Sequence, residues 1–143
     1  MATVLAFDFG INHIGVASGN SQTMIVTPRG AIRARDGIPD QAALLKLIEE
    51  WQPKQCAVGL PLNADGSEQE MTRRARKFGN RLGAQFKLKV SFVDERYTSA
   101  SAKERIFSCG GFRALQKGKE QIDGMSAAEI LEQFFAQSKE RKS

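Results

Sequence analysis

Three acidic positions stand where an element is expected to begin or end, and carboxylates so placed suit phosphoryl chemistry. Asp8 lies inside the apolar run Thr3-Val4-Leu5-Ala6-Phe7-Asp8-Phe9-Gly10, Asp94-Glu95 closes a later apolar segment, and Asp123 opens the last helical pattern. A charge within a strand like the first is costly unless a metal ion, a cation or several donors compensate it. If the three converge, they offer the hard oxygen ligands that divalent cations need. Two such ions, roughly 3.5–4 Å apart, clamp the attacking and leaving oxygens of a phosphodiester. Each position also has an ordinary use: Asp8 as a turn residue beside Gly10, Asp94 or Glu95 as a surface partner of Arg96, Asp123 as a helix N-cap.

Other chemistries find less support. His13 is the only histidine, which argues against a histidine zinc site and leaves a serine triad one candidate base. Cys56 and Cys109 show neither metal-ligand spacing nor a disulfide framework. The 143 residues carry 21 Lys+Arg against 16 Asp+Glu, a net charge of +5, which favours a polyanionic partner, nucleic acid first. With 41% hydrophobic residues the chain suits a single core, so one domain is expected over 1–138 with a short charged tail at 139–143. No apolar stretch approaches a membrane span and no signal-peptide pattern opens the chain, so a cytoplasmic protein without a membrane partner is expected.

The elements that must position these residues follow from periodicity. Thr3 to Phe9, His13 to Ser18 and about Met24 to Ala34 read as consecutive antiparallel strands. Leu44, Leu47, Ile48 and Trp51 recur at helical spacing between Pro39-Asp40 and Pro53. Cys56 to Leu60 reads as a buried strand, followed by the turn-rich Pro61-Leu62-Asn63-Ala64-Asp65-Gly66. Ser67 and Glu70 form a capping-box pattern for a helix whose apolar face is Met71, Ala75, Phe78 and Leu82. Its other face carries Arg73, Arg74, Arg76, Lys77 and Arg81, which is either a solvated surface or a nucleic-acid contact. Leu88 to Val93 is the next strand. A helix from about Ser99 to Phe107 is expected, then a basic loop over Phe112 to Gln121 with Arg113, Lys117 and Lys119. A last helix near Asp123 turns Ala127, Ile130, Leu131 and Phe134 inward. This order predicts an α/β protein whose mixed central sheet, three antiparallel strands and then helix-linked strands, is flanked by helices. It is the element order of the ribonuclease H-like fold.

Asp8-Phe9-Gly10, Ile14-Gly15-Val16-Ala17, Gly59-Leu60-Pro61-Leu62-Asn63 with Asp65-Gly66, Asp94-Glu95-Arg96 with Thr98, Gly110-Gly111, and Asp123 before Ala127-Ala128 together resemble the YqgF (RuvX) family, from Thr3 to about Phe135. That family is a bacterial branch of the ribonuclease H-like nucleases, described both as Holliday junction resolvases and as nucleases that mature the precursor of small-subunit ribosomal RNA. The resemblance implies metal-dependent phosphodiester hydrolysis with catalytic carboxylates at Asp8, the Asp94-Glu95 pair and Asp123. The family pattern does not tell which member of the pair binds metal, and neighbouring side chains at a strand end point to opposite sides, so only one faces the site; Glu95 is chosen and Asp94 is the alternative. One departure from the family pattern DxGxKxIG is Asn12-His13, where many members carry a basic residue.

The expectation is therefore two Mg²⁺ or Mn²⁺ ions on Asp8, Glu95 and Asp123. Nucleic acid is expected to be held by Arg73, Arg76, Lys77, Arg96, Thr98, Arg113, Lys117 and Lys119. Gly10, Gly59, Pro61, Asn63 and Gly66 are expected to shape turns or bring backbone N–H groups to a phosphate. Structured precursor of 16S ribosomal RNA, free or in a ribosomal precursor particle, is the first substrate. A branched DNA junction is the second and implies a homodimer rather than a monomer, since paired cuts need two sites. A sugar-kinase or actin-like ATPase would need two such domains, and a non-catalytic RNA- or ribosome-binding protein would bind without cleaving.

Overall fold

A computed structural model describes residues 3–95 and 124–142, with side chains through 137. The chain runs β1 (Thr3–Asp8), β2 (His13–Asn20), β3 (Val26–Arg35), β4 (Ile38–Pro39), α1 (Gln41–Trp51), β5 (Gln55–Leu60), α2 (Glu70–Phe86), β6 (Lys89–Asp94) and α3 (Met125–Lys142). The strands form one sheet in the order β4-β3-β2-β1-β5-β6. The first four are antiparallel neighbours, while β5 joins β1 and β6 joins β5 in parallel after helical connections. The mixed sheet matches expectation, and β1, buried from Val4 to Phe7, sits inside it. The expected Ser99 to Phe107 helix, the basic loop and Cys109 lie outside the described residues.

Alternation along the strands divides the core in two. Leu5, Phe7, Val58 and Cys56 face α1 and α2, packing against Leu44, Ala75, Phe78 and Leu82. Val4, Ala6, Ala57 and Val93 face α3, packing against Ala127, Ala128, Ile130, Leu131 and Phe135. Each fully buried Leu, Phe or Ile contributes about 1.5–3 kcal/mol. Burial pushes the Cys56 thiol up to about 12, which makes it an inert core group. Among the described residues, no helix is long and apolar enough to cross a membrane.

Several local expectations are corrected. Ser67 and Glu70 do not cap α2. The Ser67 hydroxyl and N–H both go to Asp65 Oδ1, at 2.6 and 2.9 Å, so the chain stays extended to Gln69. There the Gln69 N–H donates to Thr72 Oγ1 at 3.1 Å, and the Thr72 hydroxyl and Gln69 Nε2 both donate to the Pro61 carbonyl. In α3 it is Phe135 that is buried, and Phe134 is only partly covered. The two-residue β4 was not foreseen. It forms because Asp36 and Gly37 both take positive φ, 52° and 81°, which suits a tight Asp-Gly hairpin turn.

Candidate active site

Two acidic side chains separated by 87 positions meet at the carboxyl ends of the parallel strands. Asp8 ends β1 and Glu95 directly follows β6, with β5 between them. The register pairs Phe7 with Val58 and Gly59 with Val93. Asp8, Gly59 and Glu95 therefore share the parity of Ala6, Ala57 and Val93 and lie on the α3 face, whereas Asp94 shares the parity of Phe92 and points the other way. Gly59 makes the meeting possible. A Cβ there would collide with Ile130 Cδ1 and stand 2.9 Å from the Glu95 carboxyl carbon. The residue is buried in β5, before the loop to which its glycine had been ascribed, and its lack of a side chain gives Glu95 its space.

Glu95 and Asp8 share a side-chain hydrogen bond. Burial raises the Asp8 carboxyl above its usual range, and the hydrogen bonds from Glu95 and from Ser126 act in the opposite direction. Glu95 is pushed from an ordinary 4.5 to about 7, first by burial, then by the Asp8 charge and their hydrogen bond, and further by Asp94 and Glu129. Ser126 and Glu129 lie one helical turn apart on α3, and neither is among the residues expected at the site. Their i, i+3 spacing beside the apolar stripe Ala127, Ile130 and Leu131 was the available signal.

Asp123, Arg96, Thr98, Arg113, Lys117 and Lys119 lie outside the described residues. Among the described residues, no three His, Cys, Asp or Glu side chains gather into a metal-binding group. Gly10 serves its turn, since a Cβ would collide with the His13 carbonyl. In the Pro61–Gly66 loop the Asn63 N–H donates to the Ser67 carbonyl at 3.0 Å and the Gly66 N–H to the Asn63 carbonyl at 2.9 Å, and just beyond it the Ser67 N–H donates to Asp65. The basic face of α2 divides into two kinds of side chain. Arg74 pairs with Asp36 at 3.0 Å, and Arg76 pairs with Glu68 at 3.1 Å while lying 5.4 Å above the Phe92 ring. Arg73, Lys77 and Arg81 are exposed.

Known proteins resemble this chain in sequence and in fold. The RuvX family model, described as Holliday junction resolvase, matches residues 2–137. The "Putative pre-16S rRNA nuclease" of Shewanella oneidensis is 55% identical over 133 residues, 93% of either chain. The protein of the same name from Actinobacillus succinogenes is 51% identical over 138 residues, 96% of this chain and 97% of its own. Among solved structures, T. thermophilus RuvC in complex with a Holliday junction substrate superposes with a TM-score of 0.61 at 16% identity, over 97% of this chain and 96% of that one. The yeast mitochondrial Holliday junction resolvase gives 0.57 at 12% identity, over 99% and 80%. Identities this low speak for the fold alone, and it is the expected ribonuclease H-like fold. With a family match across nearly the whole chain and relatives at half identity or better, this chain belongs to the RuvX family.

Proposed function

We propose that this chain is a metal-dependent nuclease that hydrolyses phosphodiester bonds, with structured precursor of 16S ribosomal RNA as its first substrate. The observation that carries it is the convergence of Asp8 and Glu95 on one face at the ends of β1 and β6. The names of the Shewanella and Actinobacillus relatives point to the RNA. A branched DNA junction is the second substrate, favoured by the description of the family model.

The family's nucleases and resolvases imply a divalent metal in general terms, and the donor set here fits one. Two carboxylates on one face share a proton that a cation can replace, and Asp94 and Glu129 add negative potential. We assign Mg²⁺ or Mn²⁺ to Asp8 and Glu95, with Asp123 as the third ligand. Such ions would supply Lewis-acid stabilisation of charge on the attacking and leaving oxygens. Ser126 holds the Asp8 carboxylate in place through its hydroxyl. Gly59 keeps Glu95 against β5, and Glu95 must lose its proton before it can act as a ligand. Exposed Arg73 and Lys77 hold the strand by its phosphates, assisted by Arg96, Thr98, Arg113, Lys117 and Lys119.

The test is a cleavage assay on precursor 16S RNA and on a four-way DNA junction, with Mg²⁺ or Mn²⁺ against a chelator, using wild type and Asp8→Asn. Metal-dependent RNA cleavage lost in the variant supports the proposal. Binding without cleavage of either substrate would overturn it in favour of a non-catalytic RNA-binding protein.

A further inference from the structure

On the face of the sheet opposite Asp8 and Glu95, a cavity of about 290 Å³ lies between α2, the β3–β4 turn and the start of α1. That size is just below the usual range of small-ligand sites, roughly 300–1,000 Å³. Its apolar lining comes from Phe9, Leu44, Phe78 and Leu82. Two side-chain bridges span it from α2: Arg74 to Asp36 at 3.0 Å, and Gln85 Nε2 to Gln41 Oε1 at 3.1 Å. Between those anchor points on α2 stand Lys77 and Arg81, exposed, of like sign and one helical turn apart. That arrangement disfavours the free helix and is relieved by an anion. The first residue of α1, Gln41, also lines the cavity. The Asp40 side chain at the N-cap makes no cap bond to the first turn of that helix, which itself holds no acidic residue. Ile38 forms one wall and is 54% exposed, an apolar surface at a turn with no partner in the core.

We propose that this cavity binds one nucleotide unit, its base against Ile38 and the aromatic floor and its phosphate on Lys77 and Arg81. Gln41 is held in place, its Nε2 donating to the Pro39 carbonyl at 3.2 Å and its Oε1 accepting from Gln85 Nε2, so it is the Gln85 amide, with an acceptor oxygen and a second N–H, that can meet the polar edge of a base. The wall is rigid: Gly37 holds its φ of 81° against the Phe9 ring, where a Cβ would stand 2.9 Å from Cζ, and its N–H donates to the Ile11 carbonyl at 2.9 Å. Phe9 directly follows Asp8, so an unpaired strand passing over the end of β1 reaches both faces. That source of the nucleotide rests on the nuclease function proposed above; a free nucleotide does not.

The test is an amide-resolved NMR titration of the full chain in chelator, with AMP, GMP, inorganic phosphate and an unpaired five-nucleotide RNA. AMP and GMP should shift the amides of Gly37, Ile38 and Gln41 at concentrations at least tenfold below those phosphate requires. The Lys77→Glu/Arg81→Glu double variant should weaken nucleotide binding tenfold or more, and Ile38→Asp should weaken nucleotide but not phosphate. RNA binding tenfold tighter than AMP assigns the site to a strand, and equal affinity assigns it to a free nucleotide. Silent cavity amides with every probe, or undiminished binding in the double variant, would overturn the site. Because chelator separates binding from cleavage, silent amides in a protein that cleaves normally sink this site alone. Shifted amides in a protein that cleaves nothing sink the nuclease proposal alone.

Discussion

The Glu95 and Asp8 carboxyl groups share a hydrogen bond across the end of β5, over the one position in that strand, Gly59, that has no side chain to intervene. Filling that position should separate the pair. Gly59→Ala is expected to destabilise the protein by about 1–3 kcal/mol, because Ile130 and Glu95 must both give way. Cleavage should fall tenfold or more. Denaturant melts alongside a cleavage assay check this, and a variant with wild-type values in both would disprove the packing role.

Asp8→Asn should abolish cleavage and leave the fold intact. In chelator at pH 8, where the pair is most strongly charged, the variant should be more stable than wild type by a few tenths to about 1 kcal/mol, because it removes a buried negative charge beside another. Melting temperature and activity then move in opposite directions. An unfolded variant would show that Asp8 is structural.

The pH dependence follows from Glu95. Its folded value, about 7, lies above its ordinary 4.5, so the folded protein holds a proton that the unfolded chain releases between those values. Its contribution to metal-free stability is therefore fully present below pH 4.5, declines as pH rises, and is lost above 7, by on the order of 1–2 kcal/mol after solvent screening. Metal-supported cleavage should rise over the same window as the carboxylate becomes free to bind. Chemical denaturation from pH 4 to 9 with Glu95→Gln as control measures it, and equal slopes in both proteins would refute it.

Mg²⁺ or Mn²⁺ should support turnover, and Ca²⁺ should bind without supporting it efficiently, since its looser coordination places the reacting oxygens less well. All three should raise the melting temperature at pH 8 by neutralising the carboxylates. Cleavage that survives chelator would contradict the proposed chemistry.

Arg73→Ala and Lys77→Ala should each weaken RNA binding across sequences and flatten the plot of log K against log salt by about 0.7–0.9 per contact, with little change in stability. Arg76→Ala should also cost about 0.5–1 kcal/mol of stability, because its guanidinium pairs with Glu68 and covers Phe92. Unaltered affinity and salt slope in an Arg73/Arg76/Lys77 triple Ala variant would move the strand-holding role to Arg113, Lys117 and Lys119.

The sheet was legible because strand alternation and helix period are written in single residues: the β1 run, the Leu44-Leu47-Ile48-Trp51 spacing and the Cys56–Leu60 block all lie in the expected elements. Parity at a strand end said only that one of Asp94 and Glu95 would face the site, and the structure sets Glu95 on the face of Asp8. Gly59 was harder to read, since its function depends on what two other elements place above it. Ser126 and Glu129 were hidden for the same reason: an exposed Ser and a charged residue on a helix look like surface until the sheet beneath them is known. The cap of α2 went to Gln69 and Thr72 because Asp65 competes for Ser67, a local rivalry that a four-residue pattern does not encode.

Gly124 packs so closely that a Cβ would stand 2.8 Å from the Gly30 nitrogen and 2.9 Å from the Val16 carbonyl oxygen. The start of α3 is seated on main chain that took shape more than ninety residues earlier in synthesis. Until those last residues emerge from the ribosome, Val4, Ala6, Ala57 and Val93 lack the cover of α3, and Asp8 has no Ser126 to hold it. A nascent chain is therefore sticky and its acidic pair lacks the Ser126 contact, so a message cut short before α3 yields a substrate for proteases.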